Sequence, residues 1–291
     1  MRKKRMIILF IVVAIALLVA VWFAIPYSPL KNQFKKDVQK RTRAAGQDAP
    51  AHDSGVYTRE DFARLPPLVR DYVEACGYIG TPRKSVLTME YQKVAFALGQ
   101  GKPKLTIDYT QVDFADAPAR LAFIDSRMFG IPFQGYDYYM DGRGGMKGVL
   151  AKLFLLFDQT GEQMDKACLA TYLAEIIFLP EALLQDFVSF KQIDGHTLEA
   201  RISFGGVSAS GTFRFNDAHE MTCFSTDERS QTAPGGTAVQ IPWEARCEAY
   251  GLYSDGIKRP TLFRAVWKYP EKDFIYFDGS ISSVDGAELR Q

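Results

Sequence analysis

The sequence predicts an α+β fold, in which an N-terminal transmembrane helix precedes a large curved antiparallel β-sheet with helices packed on one face. Three observations predict it. An uncharged apolar run lies near the N-terminus, residues 86–157 and 188–285 alternate apolar and polar side chains with a period of two, and one long helical pattern separates those two regions. A parallel α/β fold would need a helix between most strands, and the pattern does not place helices there.

The apolar run, Met6–Ile25, is 20 residues long. At about 1.5 Å per residue it matches a hydrocarbon core roughly 30 Å thick. A cleavable signal peptide usually has a shorter apolar stretch that ends in small residues, whereas cutting after Ala24 would place Trp22 at the third position before the cut. We interpret the run as an uncleaved single-pass anchor in the cell membrane, with a signal peptide and a buried core helix as alternatives.

Basic residues on both sides of the run bear on its orientation. Arg2, Lys3, Lys4 and Arg5 precede it, and six cations follow it from Lys31 to Arg43. Positive charge favours the cytoplasmic side. Because the first group adjoins the run and the second begins six residues beyond it, we expect the N-terminus inside and the following domain outside the cytoplasmic membrane.

The segment after the run is basic and ends in the small, polar stretch AAGQDAPAHDSGVY, which is typical of a linker. Leu30, Phe34 and Val38 recur every four residues between lysines, a pattern typical of a helix on an anionic lipid surface. A solvated basic linker is the alternative. We therefore expect three parts, which are a basic stub and anchor at 1–25, a basic juxtamembrane linker at 26–56, and a soluble β-rich domain at 57–291.

Composition narrows the function classes. After residue 50 the chain has 25 Lys/Arg against 32 Asp/Glu, and such a mildly acidic domain is not expected to bind nucleic acid. The four cysteines are widely spaced without a CxxC pair, so neither a metal site nor any cofactor is predicted. If Cys223 and Cys247 lie on neighbouring strands they are the best candidates for a disulfide, and buried free thiols are the alternative.

The elements of the domain follow in order. Thr58 and Asp61 resemble a capping box before a short helical start that ends near Gly77. A long helix is predicted from Glu162 to Phe178, with Pro180 stopping it and the helical turn EALLQDF after it. The predicted strands are VLTMEYQKVAFAL, KLTIDYTQVDF, RLAFIDSRMF, FQGYDYYM and MKGVLAKLFLLF before the helix, and FKQID, LEARISF, VSASGTFRFN, MTCFSTDER, VQIPWEARCEAYGLY, TLFRAVWKYP and DFIYFDGSISSV after it.

Three stretches, FARLPPLVRDYVEACGYIG, YLAEIIFLPEALL and IPWEARCEAYGLYSDGIKRPTLFRAVWKY, resemble an uncharacterised bacterial family of unknown function. Members of that family often carry an N-terminal membrane segment. They are in turn similar to the half-barrel of bacterial lipoprotein carriers, in which a curved sheet wraps an apolar cavity closed by helices. The resemblance implies a half-barrel-like fold, and it carries no reaction or ligand with it.

Glu175 is the main candidate for chemistry. It lies beside the apolar face of the predicted helix, where burial would raise its pKa and suit it to act as a general acid or to hold a ligand. Pairing with an arginine is the alternative. The loop DGRGGMKG lacks both diagnostic phosphate-binding patterns and reads as a glycine hairpin. The acids Asp113 and Asp116 are expected on a solvated strand face.

The remaining candidates are aromatic side chains on the predicted strands and helix. A concave aromatic face could bind an acyl chain, although such rings could equally fill the core. Together with Glu175 the predicted ligand-binding residues are Tyr136, Tyr138, Tyr172, Trp243 and Trp267.

These observations favour a non-enzymatic, membrane-anchored envelope protein that binds a hydrophobic or lipidic ligand, or a protein partner, near the bilayer. A hydrolase that uses Glu175 is one alternative, and it predicts a solvent-reachable pocket around that residue. A structural scaffold in an envelope complex is the other, and it predicts an exposed apolar patch.

Overall fold

The computed structural model describes residues 2–48, 55–232 and 238–290. Part of the predicted linker, residues 49–54 with His52, lies outside the described residues. The helices are α1 (Arg2–Ala24), α2 (Pro29–Asp48), α3 (Pro67–Ala75), α4 (Glu162–Glu175) and α5 (Pro180–Leu183), with one 3₁₀ turn at Ile176–Phe178. The strands are β1 (Val86–Ala97), β2 (Lys104–Phe114), β3 (Ala119–Met128), β4 (Ile131–Met140), β5 (Arg143–Leu150), β6 (Phe154–Thr160), β7 (Val188–Gln192), β8 (Thr197–Phe204), β9 (Val207–Phe215), β10 (Met221–Thr226), β11 (Ser230–Thr232), β12 (Ala238–Gln240), β13 (Trp243–Leu252), β14 (Lys258–Lys268), β15 (Asp273–Val284) and β16 (Ala287–Glu288).

The main sheet is open and has 14 strands, in the order β6-β5-β4-β3-β2-β1-β15-β14-β13-β10-β9-β8-β7, with β16 beside β15. Every pairing in it is antiparallel. β1–β6 form a meander, and β1 pairs with β15 to join this meander to the second half of the chain. The predicted α+β class, with its large antiparallel sheet and packed helices, is confirmed.

The sheet has two covered faces in the region of β2–β4. On one face, which we call the α4 face, Ile107, Tyr109 and Ile124 belong to the large core that surrounds α4. On the opposite face, the α2 face, Phe114 and Phe123 form a second core with side chains of α2. Because neighbouring residues of a strand point to opposite faces, both sets of alternating side chains in these strands are buried.

Helix α2 contradicts both alternatives for the segment after the apolar run. Leu30 and Phe34, the apolar residues predicted to face lipid or to remain in a solvated linker, are buried against β3 and β4, and Val38 packs beside them. Polar contacts complete this packing, since Tyr136 donates to Asp37 at 2.9 Å and Arg41 pairs with Asp116 at 2.6 Å. The physical reason is that the sheet offers a second apolar face, so the amphipathic helix is satisfied within its own chain.

Helix α1 is long and apolar enough to cross a membrane. Its C-terminal end touches the β5–β6 turn: the indole of Trp22 donates to the Ala151 carbonyl at 2.9 Å, and the Lys152 ammonium donates to the carbonyls of Phe23 at 3.0 Å and Ile25 at 2.7 Å. A cation at the last carbonyls of a helix satisfies free acceptors and complements the helix dipole. The domain is therefore fastened to the end of α1 by side chains as well as by the backbone.

The predicted elements differ from the structure at three positions. MKGVLAKLFLLF is not one strand, because the chain turns at Ala151–Leu153 and separates β5 from β6. The predicted glycine loop is mostly strand β5. A Cβ on Gly144 would lie 2.7 Å from the Cβ of Cys168, so the glycine permits the close approach of α4 rather than forming a turn. VQIPWEARCEAYGLY is likewise divided at Pro242.

All four cysteines are free thiols. Cys223 and Cys247 do lie on the neighbouring strands β10 and β13, but the residue opposite Cys223 is Arg246. Cys247 is the next residue along β13 and points to the other face, which prevents a disulfide.

Candidate functional site

Glu175 is the last residue of α4, a helix that is buried on nearly all sides from Ala167 onward. The helix starts with Glu162 and Asp165 in its first turn, where acidic groups are favoured. It ends as the chain tightens into the 3₁₀ turn that precedes Pro180. This arrangement holds the Glu175 carboxylate, 4% exposed, against the α4 face of β2 and β3.

Glu175 belongs to a buried polar network, defined here as Tyr109, Gln111, Asp113, Arg120, Asp137 and Glu175. Arg120 donates from Nε to Glu175 Oε2 at 2.6 Å and from Nη1 to Asp137 Oδ2 at 2.7 Å. Its Nη2 donates to the Tyr109 hydroxyl at 2.5 Å and to Gln111 Oε1 at 3.2 Å. Arg120 therefore organises the network, as a planar guanidinium with several fixed donors can.

Gln111 joins the two carboxyls that lie deepest in the network. Its side-chain amide donates to Glu175 Oε2 and to Asp113 Oδ2, each at 2.7 Å. Among the described residues Asp113 Oδ1 has no hydrogen-bond partner, although the side chain is buried. Asp113 thus lacks the cation that Glu175 has.

The charges of the network do not balance when every carboxyl is ionised, because Arg120 faces Asp113, Asp137 and Glu175. Burial raises the pKa of the Asp113 carboxyl well above its ordinary value, and the nearby Glu175 carboxylate raises it further. Burial also raises the pKa of Glu175, against the opposing effect of Arg120. Since Glu175 accepts two hydrogen bonds on one oxygen and Asp113 has no cation, we assign the retained proton to Asp113.

The expectation that Asp113 lies on a solvated face is wrong. Its side chain and that of Gln111 share the α4 face with Ile107 and Tyr109. A weak signal for this position is present in the sequence, because apolar side chains change from odd to even positions of β2 at Val112 and Phe114. That change reflects burial of both faces, which alternation alone does not reveal.

The other predicted ligand-binding residues do not meet at one place. Tyr136 lies on the α2 face, where it contacts Phe34 and stacks on Tyr138 at 5.2 Å between ring centroids. Tyr172 is buried on α4 and donates to the Phe114 carbonyl at 2.7 Å. These three rings contribute to the two cores rather than to an open site.

Trp243 and Trp267 lie together in the second half of the sheet. The Arg229 guanidinium is 4.3 Å from the ring centroid of Trp243 and 5.1 Å from that of Trp267. Tyr276 stacks on Trp267 and accepts a hydrogen bond from the Trp243 indole at 3.0 Å. The arrangement is a buried cation–π cluster that fixes β13, β14 and β15 relative to one another.

The largest cavity described lies elsewhere, at the end of the meander where β1 turns into β2 and β3 turns into β4. We call it the end cavity. Its volume is about 1080 Å³, at the upper end of the size of small-molecule sites. It is lined by the apolar residues Leu98, Pro103, Leu105, Ile107, Met128, Phe129 and Pro132 and by the polar residues Gln92, Lys93, Lys102, Lys104, Thr106, Asp108, Asp125, Ser126 and Arg127.

The end cavity is adjacent to the C-terminal end of α1, which we call the foot of α1. Pro132, which lines the cavity, accepts a hydrogen bond from the Ala151 amide at 2.7 Å, and the Ala151 carbonyl in turn accepts the indole N–H of Trp22. The cavity contains four cationic side chains against two carboxylates, so its polar part suits an anionic group. None of the six predicted ligand-binding residues lines this or the other four cavities described.

Within residues 2–48, 55–232 and 238–290, no group of three or more His, Cys, Asp or Glu side chains is arranged to hold a metal ion. His196 and His219 lie at turns, and His196 is 3.5 Å from Asp217. No cofactor site is built on either histidine.

Comparison with solved structures finds two weak similarities. The first is to the "putative outer membrane lipoprotein-sorting protein domain" of Vibrio parahaemolyticus, with 8% identity, a TM-score of 0.39, and coverage of 75% of this chain and 89% of the other. The second is to a DUF1329 family protein of Desulfovibrio piger ATCC 29098, with 10% identity, a TM-score of 0.38, and coverage of 80% and 93%. One of the two similarities is thus to a lipoprotein-sorting domain, the kind of protein that the sequence resemblance named.

The curated protein sequences contain no match to the chain. A family match covers most of the domain, from residue 55 to residue 279, and its description is that of a family of unknown function. The resemblance noted in the sequence is therefore confirmed, and the chain belongs to the family of unknown function DUF6544.

Proposed function

We propose that this chain is an envelope protein anchored in the membrane by α1, and that it binds a hydrophobic or lipidic ligand in the end cavity, close to the bilayer. The observation that carries the proposal is the position of the cavity, beside the contacts that join the domain to the foot of α1. The domain lies outside the cytoplasm in this proposal.

Three hydrogen bonds support an uncleaved anchor over a signal peptide. Trp22 and the carbonyls of Phe23 and Ile25 bond to the β5–β6 turn, so the end of α1 is packed against the domain. A removed signal sequence would leave the Lys152 ammonium without these acceptors. A C-terminal reporter that is active on only one side of the membrane tests the orientation, and activity on the cytoplasmic side contradicts it.

The lining of the end cavity supports an amphipathic ligand. Leu105, Ile107 and Met128 supply apolar contacts, whereas Lys102 and Lys104 supply cationic groups near the β1–β2 turn. An acyl chain with an anionic head carries both matching chemistries. A partner protein would need a larger flat surface than this concave site provides.

Binding by the six residues selected from the sequence stays a prediction, and their positions support a structural role instead. A hydrolase that uses Glu175 would need substrate to reach a carboxylate that is ion-paired to Arg120 and absent from the lining of the cavities described. A ligand of the end cavity does not need to reach Glu175. We therefore favour ligand binding over catalysis.

Photo-crosslinking tests the ligand proposal. The full chain in lipid nanodiscs is exposed to a fatty acid that carries a diazirine, and the labelled peptides are mapped. We expect adducts at Leu105 and Met128, which line the cavity, and reduced labelling in Leu98→Trp, which fills the cavity from a residue 38% exposed. The matched control Leu252→Trp changes a leucine that is 44% exposed and lies outside the cavity, and it should leave labelling unchanged. Adducts confined to α1, or equal labelling in both variants, contradict the proposal.

A further inference from the structure

The turn and strand that follow β5 expose an unusual apolar segment. Leu153 and Phe154 are 65% and 60% exposed, and Leu155 and Leu156 continue the exposed run along β6. β6 is an edge strand of the main sheet. A contiguous run of this kind is uncommon on a soluble surface and indicates contact with another apolar phase.

The segment begins directly at the foot of α1. Lys152, the residue before Leu153, donates to the carbonyls of Phe23 and Ile25, the last residues of the apolar run. At about 3.3 Å per residue, Leu153 and Phe154 lie within roughly 7 Å of Lys152, measured along the chain. The headgroup region on each side of a bilayer has a similar thickness, since it adds roughly 10–15 Å in total to the hydrocarbon core.

The neighbouring hairpin presents a second exposed ring at the same end of the meander. Phe129 is 87% exposed at the two-residue β3–β4 turn, with Met128 opposite Ile131. Its φ is +52°, a left-handed conformation that turns normally assign to Gly, Asn or Asp. The Phe129 ring lines the end cavity but belongs to neither core, so core packing does not explain its strained position. Insertion of an apolar tip into the interfacial region of a bilayer would explain it.

We propose that Leu153 and Phe154, with the Phe129 tip beside them, insert into the interfacial region of the bilayer and form a second membrane contact of this chain. Lys102 in the β1–β2 turn and Arg127 at the end of β3 lie at the same end of the meander, and their charges suit anionic headgroups. The proposal rests on α1 as an anchor. Phe129, Lys102 and Arg127 also line the end cavity, whereas Leu153 and Phe154 do not, so a label at Leu153 reports on the membrane contact alone. The proposal places the start of β6 in lipid headgroups rather than against another strand.

Spin labels on the full chain in liposomes test the contact, in a Cys223→Ser background that removes the half-buried thiol. Labels are attached to Leu153→Cys, to Gln159→Cys farther along β6, and to Leu252→Cys in the other half of the sheet. We expect dissolved oxygen to broaden the Leu153 signal more than a water-soluble nickel complex does. The order should be reversed at Gln159 and Leu252.

A label at Ile15→Cys in α1 separates the two proposals. If the nickel complex reaches Ile15, the anchor itself fails. If Ile15 is in hydrocarbon and the nickel complex reaches Leu153 as readily as Leu252, the second membrane contact alone is overturned. Strong dipolar broadening between Leu153 labels on different copies would also overturn it, because β6 would then be a pairing edge.

Discussion

Replacement of Arg120 by methionine should destabilise the domain far more than neutralisation of its partner Glu175. Arg120 has a side chain only 6% exposed, and it bonds to Glu175, Asp137, Tyr109 and Gln111. Methionine fills similar space but leaves two carboxylates without their cation. Breaking a buried pair in this way costs about 3–5 kcal/mol.

Glu175→Gln tests the same network from the other side. Both hydrogen bonds to Glu175 end on Oε2, so a glutamine with its carbonyl oxygen in that position keeps them. The substitution also removes one negative charge near Asp113, and Arg120 keeps Asp137 as a partner. We expect a loss of no more than about 1 kcal/mol, the net value of one ordinary hydrogen bond.

Thermal unfolding of the full chain in detergent micelles, followed by tryptophan fluorescence, measures the difference. For a domain of this size about 1 kcal/mol corresponds to roughly 2–4 °C, so Arg120→Met should lower the midpoint by roughly 6–20 °C. The control Arg70→Met changes an exposed arginine on α3 and should shift the midpoint by less than about 2 °C. Equal effects of Arg120→Met and Glu175→Gln, or an effect of Arg120→Met no larger than that of Arg70→Met, would refute the central role of the guanidinium.

Three further predictions use the same unfolding assay. The pKa of Asp113 is raised in the folded chain, so its contribution to stability is complete below about pH 4 and is lost as the pH rises through the folded pKa; each pKa unit corresponds to about 1.4 kcal/mol. Asp113→Asn should therefore raise the midpoint more at pH 8 than at pH 4, and an equal change at both values contradicts the assignment of the proton. Phe34→Ala should cost about 3–5 kcal/mol and expose α2 to trypsin, because the ring is buried on the α2 face, whereas the exposed Lys35→Ala should do neither. Gly144→Ala should cost about 1–3 kcal/mol through its contact with α4, while Gly195→Ala, which meets no atom within 4 Å, should stay within about 0.5 kcal/mol.

Strand positions were predictable from the sequence because period-two alternation and turn residues are local signals. KLTIDYTQVDF and DFIYFDGSISSV coincide with β2 and β15, and the predicted helix Glu162–Phe178 corresponds to α4 and the 3₁₀ turn, with Pro180 beginning α5. The division of MKGVLAKLFLLF was not predictable in this way. Ala151 and Lys152 adopt positive φ, at +54° and +63°, although neither residue is a usual turn former.

The candidate sites were harder to predict, for a physical reason that differs between them. The polar network combines Gln111 and Arg120 from two strands with Glu175 from a helix, and only the packed fold brings them together. The alternation predicts a solvated face at Asp113, whereas α4 covers that face of β2 and α2 covers the opposite one. The end cavity is formed by hairpin turns, where no periodic pattern identifies partners in space.

The docking of α2 changes how the domain moves. A chain with a flexible tether of thirty residues would sample a wide volume above the bilayer, but here four residues separate Ala24 from Pro29, and α2 is bonded along the sheet from Ser28, which accepts from Gln134, to Arg41. The helix runs from the start of β4 towards its end, so its contacts with the sheet extend away from the C-terminal end of α1. If α1 is the anchor proposed above, a domain held in this way has little freedom to move relative to the membrane, and it does not leave the membrane with a ligand as a diffusing carrier does. A ligand bound as proposed would then arrive and depart at one fixed height above a single bilayer.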